Sequence, residues 1–223
     1  MEFADVLRTT FAARKFTDDP LPDETLWAIL DDARFAPSGG NRQGAHIVVV
    51  RDPDTRQQLV ELGLPAARRY LAQRAAGENP WNPVHPTSVT QRDIDAVDGA
   101  QAFQSSLTAA QVVLVVCVEL GVLAAVDQDL DRVGLVGGAS VYPLVWNILL
   151  AARSRGFGGT LTTVAIAAEP QLRELLAIPD THAVVALLPL GKPVKQLTRL
   201  RRQRVEDFVT RETFDGEPFT AGQ

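Results

Sequence analysis

Three polar side chains, Ser38, Asn41 and Gln43, stand within the stretch Ala36-Pro37-Ser38-Gly39-Gly40-Asn41-Arg42-Gln43-Gly44. Their hydroxyl and amide groups both donate and accept hydrogen bonds, and the small residues between them let a backbone approach something flat. That is the makeup of a loop that holds a ligand. Two basic clusters lie far from it and from each other: Arg8 with Arg14-Lys15, and Arg199 with Arg201, Arg202 and Arg204. Guanidinium forks suit phosphate, and two clusters converging on one phosphate would make an anion site inside an acidic protein. On spacing alone, two solvated faces are the simpler reading.

Other chemistries find no support in the residue pattern. His46, His85 and His182 are scattered, with no H-x₃-H pair and no CxxC, so no metal site is expected. Ser38 has no G-x-S-x-G context and no evident base. Cys117 lies inside Val112-Val113-Leu114-Val115-Val116-Cys117-Val118 and reads as a small core thiol. Gly156-Phe157-Gly158-Gly159 lacks the third glycine of a dinucleotide fingerprint and follows a helical pattern, which makes it a helix C-terminal turn.

These groups must be positioned by a chain of 223 residues, 46% hydrophobic and 22% charged, enough for one domain over 1–223 with a sizeable core. The formal net charge of -5 argues against nucleic acid as the main partner. The acid-bearing start Met1-Glu2-Phe3-Ala4-Asp5 does not resemble a secretory signal. The most apolar run, Val112 to Val126, is interrupted by Glu119 and Gly121 and falls short of the roughly 20 residues needed to span a bilayer. No membrane association is therefore expected, and cytoplasmic residence follows from the lone cysteine.

The ligand loop joins a helix to a strand. Leu26, Ile29, Leu30 and Ala33 recur at i, i+3, i+4, i+7 from Asp23 to the residues before Pro37, and Ala45 to Val50 is an apolar strand. A short helix over 2–10 precedes them. Asp52 and Pro53 open another helix that pauses at Gly63 and Pro65 and resumes through Arg68-Arg69-Tyr70-Leu71. Residues 77–98, rich in proline and polar groups, form a long irregular segment of the kind that covers a site. The non-alternating run 111–118 predicts a fully buried strand. Gly137-Gly138-Ala139-Ser140 opens a helix through Val141 to Ala152, apolar on nearly every side and therefore central, at a subunit interface or in the core. Thr160-Leu161-Thr162-Thr163 is a loop, Pro170 to Pro179 bounds a short helix, and Ala183 to Leu188 is the last strand. Helices outnumber and separate the strands, which points to a three-layer sandwich, α+β or α/β.

Taken in order, Arg14-Lys15-Phe16-Thr17-Asp18-Asp19-Pro20-Leu21-Pro22, the Ala36–Gln43 stretch, Arg153-Ser154-Arg155-Gly156-Phe157-Gly158-Gly159, Leu176-Ala177-Ile178-Pro179 and Leu190-Gly191-Lys192-Pro193 resemble the FMN-dependent nitroreductase family. The resemblance covers nearly the whole chain. It implies a homodimeric α+β protein, a three-layer α/β/α sandwich, with FMN at the subunit interface. Arg14, with Lys15 beside it, would supply a basic side chain to the flavin. Pro37, Ser38, Gly39, Asn41 and Gln43 would reach it from the other subunit. Thr160, Leu161, Thr162 and Thr163 would pass the flavin face and N5 edge and offer a backbone N–H. Arg201 and Arg202 would hold the phosphate. Arg14 and Thr163 are thus the expected catalytic positions.

Tyr70, Trp81 and His85, within a pocket cover over 65–100, would contact the substrate, and 205–223 would be a C-terminal extension. The implied activity is ping-pong reduction of nitroaromatic, quinone or enone-type acceptors by NAD(P)H, with the flavin carrying the chemistry. Phe11, Ala12, Gly44 and Arg204 depart from the family pattern. Losing one charge-assisted hydrogen bond at Phe11 or Ala12 would weaken FMN binding by about 1.5–3 kcal/mol. Two other roles fit the same resemblance: a specialised flavoenzyme acting on a biosynthetic intermediate or on flavin itself, and a flavin-binding protein without turnover.

Overall fold

Among residues 1–221, which the computed structural model describes, eight helices accompany four strands. The helices are α1 (Phe3–Thr9), α2 (Asp23–Ala33), α3 (Pro53–Ala75), α4 (Gln91–Asp95), α5 (Ala100–Phe103), α6 (Ser105–Ala109), α7 (Tyr142–Ser154) and α8 (Glu169–Leu176). The strands are β1 (Ala45–Val50), β2 (Val112–Glu119), β3 (Gly158–Gly159) and β4 (His182–Gly191). They form one antiparallel sheet in the order β1-β2-β4-β3.

The residues of β2 dictate the layering. Its first seven positions are apolar and buried, so both faces of the sheet need cover. Val112, Leu114, Val116 and Val118 meet Leu26, Ile29 and Ala33 of α2 and Val145, Ile148 and Ala152 of α7. Val113, Val115 and Cys117 meet Leu59 and Val60 of α3, Leu107 of α6 and Leu172 of α8. The result is the three-layer α+β sandwich, helix on sheet on helix. Burial pushes the Cys117 thiol up to about 11, which keeps it protonated and inert.

Two local expectations fail. The predicted pause at Gly63 and Pro65 does not occur, because α3 runs unbroken for 23 residues. Burial of Leu59 and Val60, at about 1.5–3 kcal/mol each, outweighs the ~3 kcal/mol cost of an interior proline. Gly63 is also where Gln104 crosses the helix, so close that a Cβ there would stand 2.3 Å from Gln104 Oε1. Second, Gly137–Ser140 does not begin the central helix. These residues belong to a 3₁₀ turn, Val136–Ser140, and α7 starts only at Tyr142. No helix among the described residues is long and apolar enough to cross a membrane.

Candidate functional site

Residues 11–14 are held along the sheet edge next to β3. Ala12 pairs with Gly159 in a parallel bridge, and the Ala13 N–H donates to the Gly159 carbonyl at 2.9 Å. This pairing brings Arg14 to the mouth of a cleft of about 490 Å³, whose walls include Phe11, Ala12, Thr160, Leu161 and Arg202. Its floor is α7. Tyr142, Val145, Trp146 and Leu149 recur at i, i+3, i+4 and i+7 and turn one apolar stripe into the cleft. Tyr142 can lie there because Gly138 has no side chain; a Cβ at 138 would sit 2.9 Å from the ring.

Three donors in this cleft have no strong partner. Arg14 and Arg202 are exposed, bond only to nearby backbone carbonyls, and form no ion pair among the described residues. The third is a backbone N–H. Thr162 exchanges both of its backbone hydrogen bonds with Leu187 of β4, at 3.0 and 2.9 Å. In an antiparallel pair that turns the N–H groups of the flanking Leu161 and Thr163 away from the strand. Neither has an acceptor among the described residues. Among the described residues, the cleft walls contain no carboxylate and no imidazole.

The Ala36–Gly44 loop lies elsewhere in the same chain. Pro37, Ser38 and Gln43 line a separate hollow of about 280 Å³ with Leu30, Ile47, Ser140 and Leu144, and none of them touches the Arg14 cleft. Its backbone is left-handed at Gly40 (φ 59°), Asn41 (φ 52°) and Gln43 (φ 50°). Asn tolerates that region, whereas Gln43 pays roughly 1–2 kcal/mol for it. Cross-bonds hold the shape: the Gln43 N–H donates to Ser38 Oγ at 2.9 Å, the Gly39 N–H to Ser140 Oγ at 3.1 Å, and Arg42 to the Val122 carbonyl at 3.2 Å. The loop is therefore braced by residues 120–140.

That brace is built around one side chain that the residue pattern did not single out. Asp127 is only 3% exposed and accepts from the Leu135 N–H at 2.7 Å, from Arg132 at 2.8 Å and from the Val136 N–H at 3.3 Å. The Leu135 N–H, ahead of the Arg132 partner, holds its carboxyl down to about 2.

A third hollow, of about 610 Å³, shares the Tyr142 wall. It is lined by Tyr70, Pro80, Trp81, Thr163, Val164, Ile166, Ala167, Val184 and Val185, with no charged side chain. Tyr142 donates to the Val185 carbonyl at 3.3 Å, and Tyr70 stacks on Phe103 at 5.0 Å.

Of the residues singled out from sequence, Arg14, Thr160, Leu161 and Arg202 therefore meet in the cleft, while Thr163, Tyr70 and Trp81 meet in the third hollow. Lys15 is exposed, and its carbonyl accepts from the Val194 N–H. Arg201 is exposed outside the cleft, Thr162 is taken up by β4, and Gly39 and Asn41 sit in the loop without lining a hollow. His85 is exposed and lines none of the three. Sequence reasoning overlooked Tyr142 and Trp146. Two aromatics at i, i+4 just beyond Gly137-Gly138 were the available signal.

The nitroreductase family model matches residues 7–192. An iodotyrosine deiodinase of Nematostella vectensis is 27% identical over 210 residues, covering 93% of this chain and 74% of the relative. The crystal structure of an oxidized iodotyrosine deiodinase bound to FMN and 3-iodo-L-tyrosine superposes with a TM-score of 0.68 at 20% identity, covering 96% of this chain and 100% of the other. The NADPH:FMN oxidoreductase of Vibrio harveyi, complexed with NAD+, gives a TM-score of 0.67 at 22% identity over 96% of this chain and 78% of the other. With the motifs in order, the antiparallel three-layer fold and a family match over residues 7–192, this chain belongs to the nitroreductase family.

Proposed function

We propose that the chain is an FMN-dependent NAD(P)H oxidoreductase that works in the cytoplasm as a homodimer, its flavin lying in the Arg14–Arg202 cleft and completed by the Ala36–Gly44 loop of a second copy. One observation carries this reading. Within a single chain the cleft and the loop are both built to bind, yet they line separate hollows. A second copy supplying the loop in trans accounts for both. Large apolar side chains left open on α1, α2 and α7 support it: Phe3, Trp27 and Trp146 are 70%, 67% and 43% exposed.

The donor set fits FMN. Arg14 and Arg202 offer guanidinium groups with no carboxylate partner, suited to phosphate and to an electron-rich ring edge. The α7 stripe offers a flat apolar floor, and the Leu161 N–H is a free donor beside it. When bound, FMN would supply the redox chemistry that links NAD(P)H to a small-molecule acceptor. The chain's own contribution is binding, orientation and charge. Arg14 opposes negative charge developing at the ring, and Ser38, Asn41 and Gln43 of the second copy close the site.

Purified protein supplied with FMN should be yellow and should bleach on anaerobic addition of NADH or NADPH. Arg14→Ala should weaken FMN binding by about 10–100-fold, as expected for one charge-assisted hydrogen bond. A colourless protein that takes up no FMN would overturn the proposal. The similarity to iodotyrosine deiodinase favours a second reading, a specialised flavoenzyme. The hollow beside the cleft carries no charged side chain to meet an amino acid's ammonium and carboxylate, which favours an uncharged ring as acceptor.

A further inference from the structure

Trp81 stands in a backbone conformation that a bulky residue adopts only under compulsion: its φ is +59°. The compulsion comes from Gln73, in the last turn of α3 and 3% exposed. Gln73 Oε1 accepts the Trp81 N–H at 3.2 Å, and its Nε2 donates to Glu78 Oε2 at 3.2 Å. Glu78 in turn gathers the far end of the same segment. It accepts from Thr87 Oγ1, from the Ser88 N–H and from Ser88 Oγ, each at 2.7 Å. One turn earlier on α3, the Arg69 guanidinium lies over the Trp81 ring, 4.3 Å from its centroid. Both the backbone and the indole of Trp81 are thus fastened to α3, and the fastened ring forms a wall of the third hollow next to Tyr70.

Resting on the oxidoreductase reading, we infer that Gln73 is the positioning residue of the acceptor site: with Glu78 it clasps Trp81 as a fixed wall of the hollow, so that the site is preformed for a flat, uncharged ring. Gln73 itself lines none of the hollows, so its effect reaches the acceptor only through Trp81. A segment without the clasp would hold Trp81 in many conformations, and the acceptor would have to order it on binding.

The test uses the neutral naphthoquinone menadione as probe, with 3-iodo-L-tyrosine as the charged comparison. Menadione affinity is measured by calorimetry without reductant, and KM and kcat are measured with NAD(P)H. Gln73→Leu removes both hydrogen bonds and should raise the menadione Kd and KM together by about tenfold while kcat stays within about twofold. The double variant Gln73→Glu with Glu78→Gln exchanges donor and acceptor, keeps an acceptor for the Trp81 N–H, and should recover most of that loss. Glu78→Gln alone serves if Gln73→Leu does not fold, and should give an intermediate rise. Unchanged Kd and KM in folded Gln73→Leu, a double variant no better than the single one, or tighter binding of 3-iodo-L-tyrosine than of menadione by the unaltered protein would each overturn the inference. Failure of the oxidoreductase reading is distinguishable: the flavin would not bleach, while the menadione Kd would still respond to Gln73.

Discussion

Residues 77–88 and residues 120–140 are both mostly irregular, and in each one carboxylate held down to about 2 gathers the segment: Glu78 in the first, Asp127 in the second. They differ in what holds the carboxylate. Glu78 is half-buried and is held first by the hydroxyls of Thr87 and Ser88, then by the Ser88 N–H. Asp127 is buried and is held first by the Leu135 N–H, with Arg132 as a charged partner. Side-chain hydroxyls rotate, whereas backbone N–H groups do not, so the Asp127 segment is the stiffer of the two. That matches what each supports. The 120–140 segment braces the Ala36–Gly44 loop and its left-handed residues, while 77–98 carries one aromatic ring at the edge of a hollow. Where apolar contacts are few, the order of a segment can rest on one multiply bonded carboxylate.

The largest expected effect breaks the stiffer segment. Asp127→Ala takes the acceptor from the Leu135 and Val136 N–H groups, removes the ion pair of Arg132, and loosens the segment whose Val122 and Ser140 support Arg42 and Gly39. With the loop completing the site in trans as proposed, FMN affinity should fall about tenfold or more, as for a lost charge-assisted hydrogen bond, read from flavin fluorescence on titration.

Acid should then separate the two segments. Each carboxyl lies below its ordinary value, 4.5 for Glu78 and 3.8 for Asp127, so its stabilising effect is present in full above that value and is lost as pH falls toward about 2. Glu78 enters that window first. Hydrogen exchange should therefore show residues 77–88 opening at a higher pH than residues 127–136, and the reverse order would refute the ranking.

Trp81→Ala should raise KM for menadione by about tenfold or more, at least the rise expected of Gln73→Leu, and leave FMN affinity unchanged, an effect confined to the looser segment. A change in FMN affinity of similar size would mean that the two segments are coupled. The smallest effect belongs to Gly138→Ala, where the new methyl meets the Tyr142 ring shared by the cleft and the third hollow. A loss of about 1 kcal/mol in stability, seen in the Tm, is expected from the overpacking.

The strands at 45–50 and 112–119 were plain in the sequence because runs of β-branched residues allow little else, and the helix from Asp23 was plain from its period. The Ala36–Gly44 loop, proposed to hold the ligand, stood out through small and amide residues, and the irregular 77–98 stretch through its prolines. The continuous α3 was not legible, because Gly63 and Pro65 are local stop signals overruled only by packing against Gln104 and the sheet. Asp127 was not legible either. Asp129 and Asp131 stand beside it in the same short run, and nothing local tells which of the three turns inward.

By itself the sequence determined most of the element types, the buried central strand and the family, since these depend on residue identity and short-range spacing. Tertiary structure decided which of those residues meet. Pairing of Ala12 with Gly159 put Arg14 beside Leu161, pairing of Thr162 with Leu187 freed the neighbouring N–H groups, and Tyr142, at the start of α7, came to stand between the cleft and the third hollow. Such contacts join residues from 25 to 147 positions apart. They arise because burying β2 on both faces leaves the chain few ways to place everything else.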